Sequence, residues 1–160
     1  MGIFSKLNRS AVRMGEEDMI ALHFICHCIL VFLESLKKDE DLDQPEMLAL
    51  AQARLVKEVI APTSTLMKGS QINVTMGHLN AVIKGVSMDL MNELPTENPT
   101  VRDILSLLTD MSEIAFTRAV TASHAGYIDV PMNAIQAVFE DYGNRIKRSM
   151  QDFALSSGRS

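Results

Sequence analysis

Met19-Ile20-Ala21-Leu22-His23-Phe24-Ile25-Cys26-His27-Cys28-Ile29-Leu30-Val31-Phe32-Leu33 is an apolar run that carries two histidines and both cysteines of the chain. Glu16, Glu17 and Asp18 precede it and Glu34 follows it. A helix that is apolar on every side must be enclosed by protein or lipid. This segment therefore organises the rest of the fold. A bilayer span needs about 20 apolar residues. The run is shorter than that and holds His23 and His27, which are costly at membrane depth. A signal peptide also fails. Lys6, Arg9 and Arg13 give a basic start, but three acids stand against the apolar run and Leu33-Glu34-Ser35-Leu36-Lys37 offers no small-residue cleavage site. Gly2 lacks the Ser or Thr that myristoylation wants four residues on, where Lys6 stands. The expectation is a soluble, cytoplasmic protein.

Composition narrows the class further. A chain of 160 residues with 47% hydrophobic and 22% charged residues suits one globular domain and not a disordered segment. The net charge of −5 and the scatter of its 15 basic residues argue against nucleic acid, since only Arg145, Lys147 and Arg148 are bunched. Cys26 and Cys28, two apart on a helix, point about 200° apart and cannot readily bridge. With no disulfide framework, a reducing compartment is favoured.

Working outward from the apolar run, steps of three and four recur nearly everywhere and strand patterns are absent. Residues 1–15 form a weakly amphipathic segment. Its three cations and short apolar edge support only weak contact with an anionic membrane surface. The first long helix is expected over about 16–38, its opening acids suiting the helix dipole. Asp43-Gln44-Pro45-Glu46 reads as a capped start for a second helix that buries Leu48, Ala51, Leu55 and Val59 and stops before Pro62. Pro62 to Gly69 is expected as a linker.

A third stripe follows in Ile72, Met76, Leu79, Ile83, Val86, Leu90 and Leu94, with Gly77 and Gly85 allowing a neighbour to approach. Thr100 caps a fourth helix whose buried face is Val101, Ile104, Leu108, Met111, Ala115, Ala119 and Ala122, closing at Gly126. After Pro131 the last helix buries Ile135, Phe139, Tyr142, Ile146, Met150 and Phe153. Residues 16–155 thus make a single all-α bundle of about five helices, the first long helix buried as its central element, with a frayed tail at 156–160.

Chemistry concentrates on the first helix. His23, Cys26 and His27 share one face at i, i+3 and i+4, and His78 or His124 from another helix could complete a metal site. That is the basis of a metal- or ligand-sensing reading, set against core histidines satisfied by the protein's own groups. His78 lacks the surroundings of a phosphotransfer histidine, for Lys84 and Gly85 come six and seven residues later instead of three and four. No phosphate loop or Gly-x-Ser-x-Gly is present, the close carboxylate pair Glu140-Asp141 reads as a solvated face, and Ser123 and His124 are adjacent, so their side chains diverge. Catalysis and a bound cofactor are not expected.

Methionine, at 11 residues, is the more telling feature, because its flexible thioether suits surfaces that accept varied apolar partners. Met88 and Met91 fall off the third stripe, and with Leu66 and Met67 of the linker they are expected to line a groove for a partner helix. The preferred expectation is a non-catalytic, acidic adaptor or chaperone-like protein that binds another protein, with a homodimer as one way to cover the first helix.

Overall fold

The computed structural model describes residues 11–36, 41–69 and 76–156. The readings placed on residues 1–10, on Ile72 and on residues 157–160 fall outside these. Five helices account for nearly all of the described chain: α1 (Ala11–Ser35), α2 (residues 48–69), α3 (Met76–Glu93), α4 (Val101–His124) and α5 (Met132–Ser156). Among the described residues there is no strand, only one isolated bridge between Pro45 and Thr100. The molecule is an all-α bundle built around α1.

Helix α1 begins at Ala11, earlier than the acids at 16–18 suggested, and ends at Ser35. Leu22, Phe24, Ile25, Cys28 and Phe32 have no exposed surface, as an apolar run enclosed on all sides requires. One narrow line stays half-exposed: Met19, His23, His27 and Val31, spaced by four. Gly15–Ser35 is long and apolar enough to cross a membrane, yet 67% of its most apolar window is buried against the other helices. Helix α4 runs along α1 over the longest stretch, and α2, α3 and α5 complete the enclosure. The α1–α4 pair is antiparallel. Gly15 lies against Ala122 and Ile128, and Asp18 pairs with Arg118 at 3.4 Å.

Helix α4 follows its sequence pattern throughout. All seven stripe residues from Val101 to Ala122 are buried. The Thr100 hydroxyl accepts from the Asp103 N–H at 3.1 Å, and the Asp103 carboxylate accepts from the Thr100 N–H at 2.8 Å. This reciprocal pair satisfies two otherwise orphaned donors. Gly126, at φ 82°, closes the helix in the left-handed region that glycine adopts without strain. On α5, Ile135, Tyr142 and Phe153 are buried and Phe139, Ile146 and Met150 are half-buried against the core. Phe139 stacks on Phe116 of α4 with centroids 4.2 Å apart.

Helix α2 corrects two expectations. The stretch Asp43 to Glu46 does not cap it, because α2 starts at Leu48 after Met47, which makes no side-chain cap bond. Instead these residues form a strap across the start of α4. Leu42 O accepts from Arg102 N–H at 2.9 Å, Pro99 O accepts from Glu46 N–H at 2.8 Å, and Asp43 pairs with Arg102 at 2.6 Å. Long-range pairing here outweighs a local capping signal.

Nor does α2 stop at Pro62. The α-helical stretch Leu48–Arg54 passes through wide π turns at Leu55–Ile60 into Ala61–Gly69. Proline has no N–H and its ring collides with the carbonyl four residues back in a regular α-helix. The wide turn immediately before Pro62, where Ala61 N–H bonds to Val56 O, loosens that constraint. The π turns also align the core face. Ala51, Leu55, Val59, Thr63 and Met67 are all buried and spaced by four. In a pure α-helix four such steps drift by about 160°; roughly one extra residue in the wide turn takes back about 100° of it. On α3, Leu79, Val82, Val86 and Leu90 are buried and Ile83 is half-buried, while Gly77 faces open space and serves no close approach.

Candidate functional site

The half-exposed line of α1 meets α5 at Tyr142. Its hydroxyl lies 2.7 Å from His23 Nδ1 and 2.9 Å from His27 Nε2, so both imidazoles converge on one oxygen. The rings meet edge to face, with centroids 5.5 and 5.2 Å apart. A hydroxyl carries a single proton, so Tyr142 donates to one imidazole and accepts from the N–H of the other. Histidines at i and i+4 project from the same side of a helix, and a buried tyrosine needs a partner for its hydroxyl. The contact satisfies both demands at once.

Burial sets the electrostatics of this node. Desolvation lowers His23 below its ordinary value. It lowers His27 to about 4, helped by Arg145 and by His23. Desolvation pushes the Tyr142 hydroxyl up to about 12. The Arg145 guanidinium lies 5.3 Å from the centroid of the Tyr142 ring. All three ring groups are therefore neutral near pH 7, with one cation beside them. Cys26 and Cys28 are free, buried thiols, and desolvation raises each to about 12. They behave as small apolar residues and not as nucleophiles.

The set of four metal candidates is not assembled. His78 stands 3.6 Å from Glu16, seven residues before His23 on α1. Cys26 is 1% exposed in the core. Among the described residues no three His, Cys, Asp or Glu side chains are arranged to hold a metal ion. Tyr142 was read from the sequence as a core residue only. The signal that could have singled it out was a polar tip on an otherwise apolar stripe, in a chain with a histidine pair also needing partners.

The expected groove is likewise reshaped. Met67 is buried at 3% exposure, because the π turns carry it onto the core face of α2. Met91 is half-buried against the core, and its carbonyl accepts from Gln52 Nε2 at 3.4 Å. Leu66 and Met88 remain exposed. They are joined by residues that the sequence reading passed over, Met47, Leu50 and Val56, also exposed. In a continuous α-helix Leu66 would stand about 100° from Met47; the extra residue of the π turn removes that offset, whereas Val56 stands about 180° from Met47 and lies off that side.

No protein-family model, curated protein or solved structure matches this chain.

Proposed function

We propose that this chain is a non-catalytic protein-interaction module, a small acidic intracellular adaptor or chaperone-like protein. It engages an apolar element of a partner protein along the outward side of α2 and the adjoining part of α3. The observation that supports this reading is the placing of exposed apolar side chains. Of the nine large hydrophobic residues exposed among the described residues, five fall between 47 and 88: Met47, Leu50, Val56, Leu66 and Met88. Met47 is 77% exposed and Leu50 60%. Singly scattered exposed apolar residues are ordinary, so the reading rests on their concentration in this part of the chain. Covering a fully exposed side chain of this kind contributes at most about 1.5–3 kcal/mol, before the cost of association is met.

Photo-reactive residues placed at positions 50 and 66, and at exposed Asp110 of α4 as a control, test this in the producing cell. The expected outcome is a discrete cross-linked species at 50 and 66 that is absent at 110. Leu50→Asp and Leu66→Asp should each abolish the species formed from the other position while leaving the helical circular dichroism intact. Cross-links of equal yield at all three positions, or none at 50 and 66, would sink the proposal. A species of twice the chain mass would make the partner a second copy.

A further inference from the structure

Among the five helices, α5 buries the fewest of its described side chains, only Ile135, Tyr142 and Phe153. It packs chiefly on α1 and α4, whereas α1 is also held by α2 and α3. Tyr142, the middle of the three, grips α1 through two titratable rings, its hydroxyl 2.7 Å from His23 Nδ1 and 2.9 Å from His27 Nε2. We propose that this node is an acid-released latch: mild acid frees α5 from α1 while the α1–α4 pair holds, uncovering Phe116 and the His23–His27 side of α1. The latch is separate from the interaction surface on α2.

The hydrogen bonds of the node tolerate one added proton but not two. The hydroxyl proton serves one bare ring nitrogen, and the other imidazole supplies an N–H to the same oxygen. With both rings protonated, both nitrogens aimed at Tyr142 carry hydrogens, and the hydroxyl proton loses its acceptor. Charge opposes even the first proton. Arg145, 5.3 Å from the centroid of the Tyr142 ring, already sets one cation there, and the half-exposed imidazoles are only partly hydrated. Beside them on α1, Cys26 is a neutral buried thiol, and on α5 Asp141 is the carboxylate that acts on Tyr142. Among the described residues, no ionisable group of α2, α3 or α4 bears on the three rings, so no acid of another helix offsets the gathering positive charge. His27, at about 4 when docked against 6.5 when free, therefore holds α5 fully above pH 6.5 and progressively less as pH falls towards 4. The α1–α4 junction has the opposite sign. Asp18, buried beside Arg118, is raised to about 6, so acid firms that contact while it loosens the other. Release of α5 unstacks Phe139 from Phe116 of α4.

Hydrogen exchange of the full chain, read by mass spectrometry of α4 and α5 peptides and corrected for intrinsic rates, tests this between pH 6.5 and 5. Protection of α5 around Tyr142 should fall at least roughly tenfold, the linkage expected of His27 alone, while that of α4 changes by less than about threefold. His23→Asn combined with His27→Gln keeps an amide near each ring nitrogen and removes the titration, so its α5 protection should change by less than about threefold. The proposal is overturned if wild-type α5 keeps its protection, if α4 loses protection in step with it, or if the drop persists in the double variant. Should the double variant fail to fold, Arg145→Gln takes its place: removing the neighbouring cation should shrink the drop, and an undiminished drop overturns the latch.

Discussion

A Cβ added at Gly15 would stand 2.6 Å from both Ala122 Cβ and Ile128 Cγ2, where α1 crosses the end of α4. At Gly143, midway along α5, the same atom would meet nothing within 4 Å. Alanine favours a helix interior over glycine by about 1 kcal/mol. That preference should act alone at Gly143, so Gly143→Ala is expected to stabilise by about 0.5–1 kcal/mol in urea denaturation. At Gly15 the collision with two packed side chains should outweigh it, and Gly15→Ala should destabilise by about 1–3 kcal/mol. A stabilised Gly15→Ala would mean that the α1–α4 crossing is looser than described. Single residues show where reading the sequence stops. The histidine pair was legible, because i and i+4 on one helix fixes a shared side. Its partner was not, because periodicity tells which face Tyr142 lies on and never which residue, 119 positions away, it will touch.

Among the elements, α4 and α2 mark the two extremes of legibility. Every stripe residue of α4 is buried as its three-and-four spacing implied, since a local capping box and a regular α-helix leave nothing for distant packing to alter. For α2 the sequence points to a stop at Pro62, because proline is a strong local stop signal. Thr63 and Met67 argue against that stop, because they continue the four-residue spacing of Ala51, Leu55 and Val59. A spacing of four sustained over this length fits a helix with a widened turn better than an α-helix. Lys57 lies inside that turn and is exposed, so removing it costs no core contact of its own. Deleting Lys57 should restore α-helical turns and rotate Ala61–Gly69 by about 100°. Thr63 and Met67 then leave the core. The expected loss is about 2–3 kcal/mol, the scale of exposing one buried methionine. Lys57→Ala should stay within about 0.5 kcal/mol of the parent, as exposed substitutions do. Equal urea midpoints for the two variants would show that the wide turn holds nothing in place.

For the whole molecule, the acid and the bases that burial perturbs pull stability in opposite directions. Desolvation raises Asp18 to about 6 from 3.8, against the pull of Arg118. Its contribution is complete below 3.8 and is lost as pH rises through 6. His27 runs the other way, lowered to about 4 from 6.5, so its contribution is complete above 6.5 and is lost as pH falls through 4. His23, lowered by desolvation, adds to the histidine side. Between pH 4 and 6 Asp18 and His27 therefore largely offset each other, leaving the smaller His23 contribution, so stability should rise only gently with pH. Asp18→Asn should leave the histidines unopposed, giving a stability that climbs with pH across that window. His27→Gln should leave Asp18 opposed only by His23, giving a stability that falls as pH rises across the same window. One uncompensated proton corresponds to a slope of about 1.4 kcal/mol per pH unit. Thermal melts of the three chains at pH 4, 5 and 6 check this, and parallel curves would contradict it. The enclosure of α1 has one further consequence, which concerns time. His23 is synthesised 119 residues before the tyrosine that covers it, an interval on the order of ten seconds at ~5–20 residues per second. For most of that interval the most apolar helix of the chain is complete while its last neighbour does not yet exist. Whatever shields it then, ribosome or chaperone, decides how much of this protein reaches the folded state.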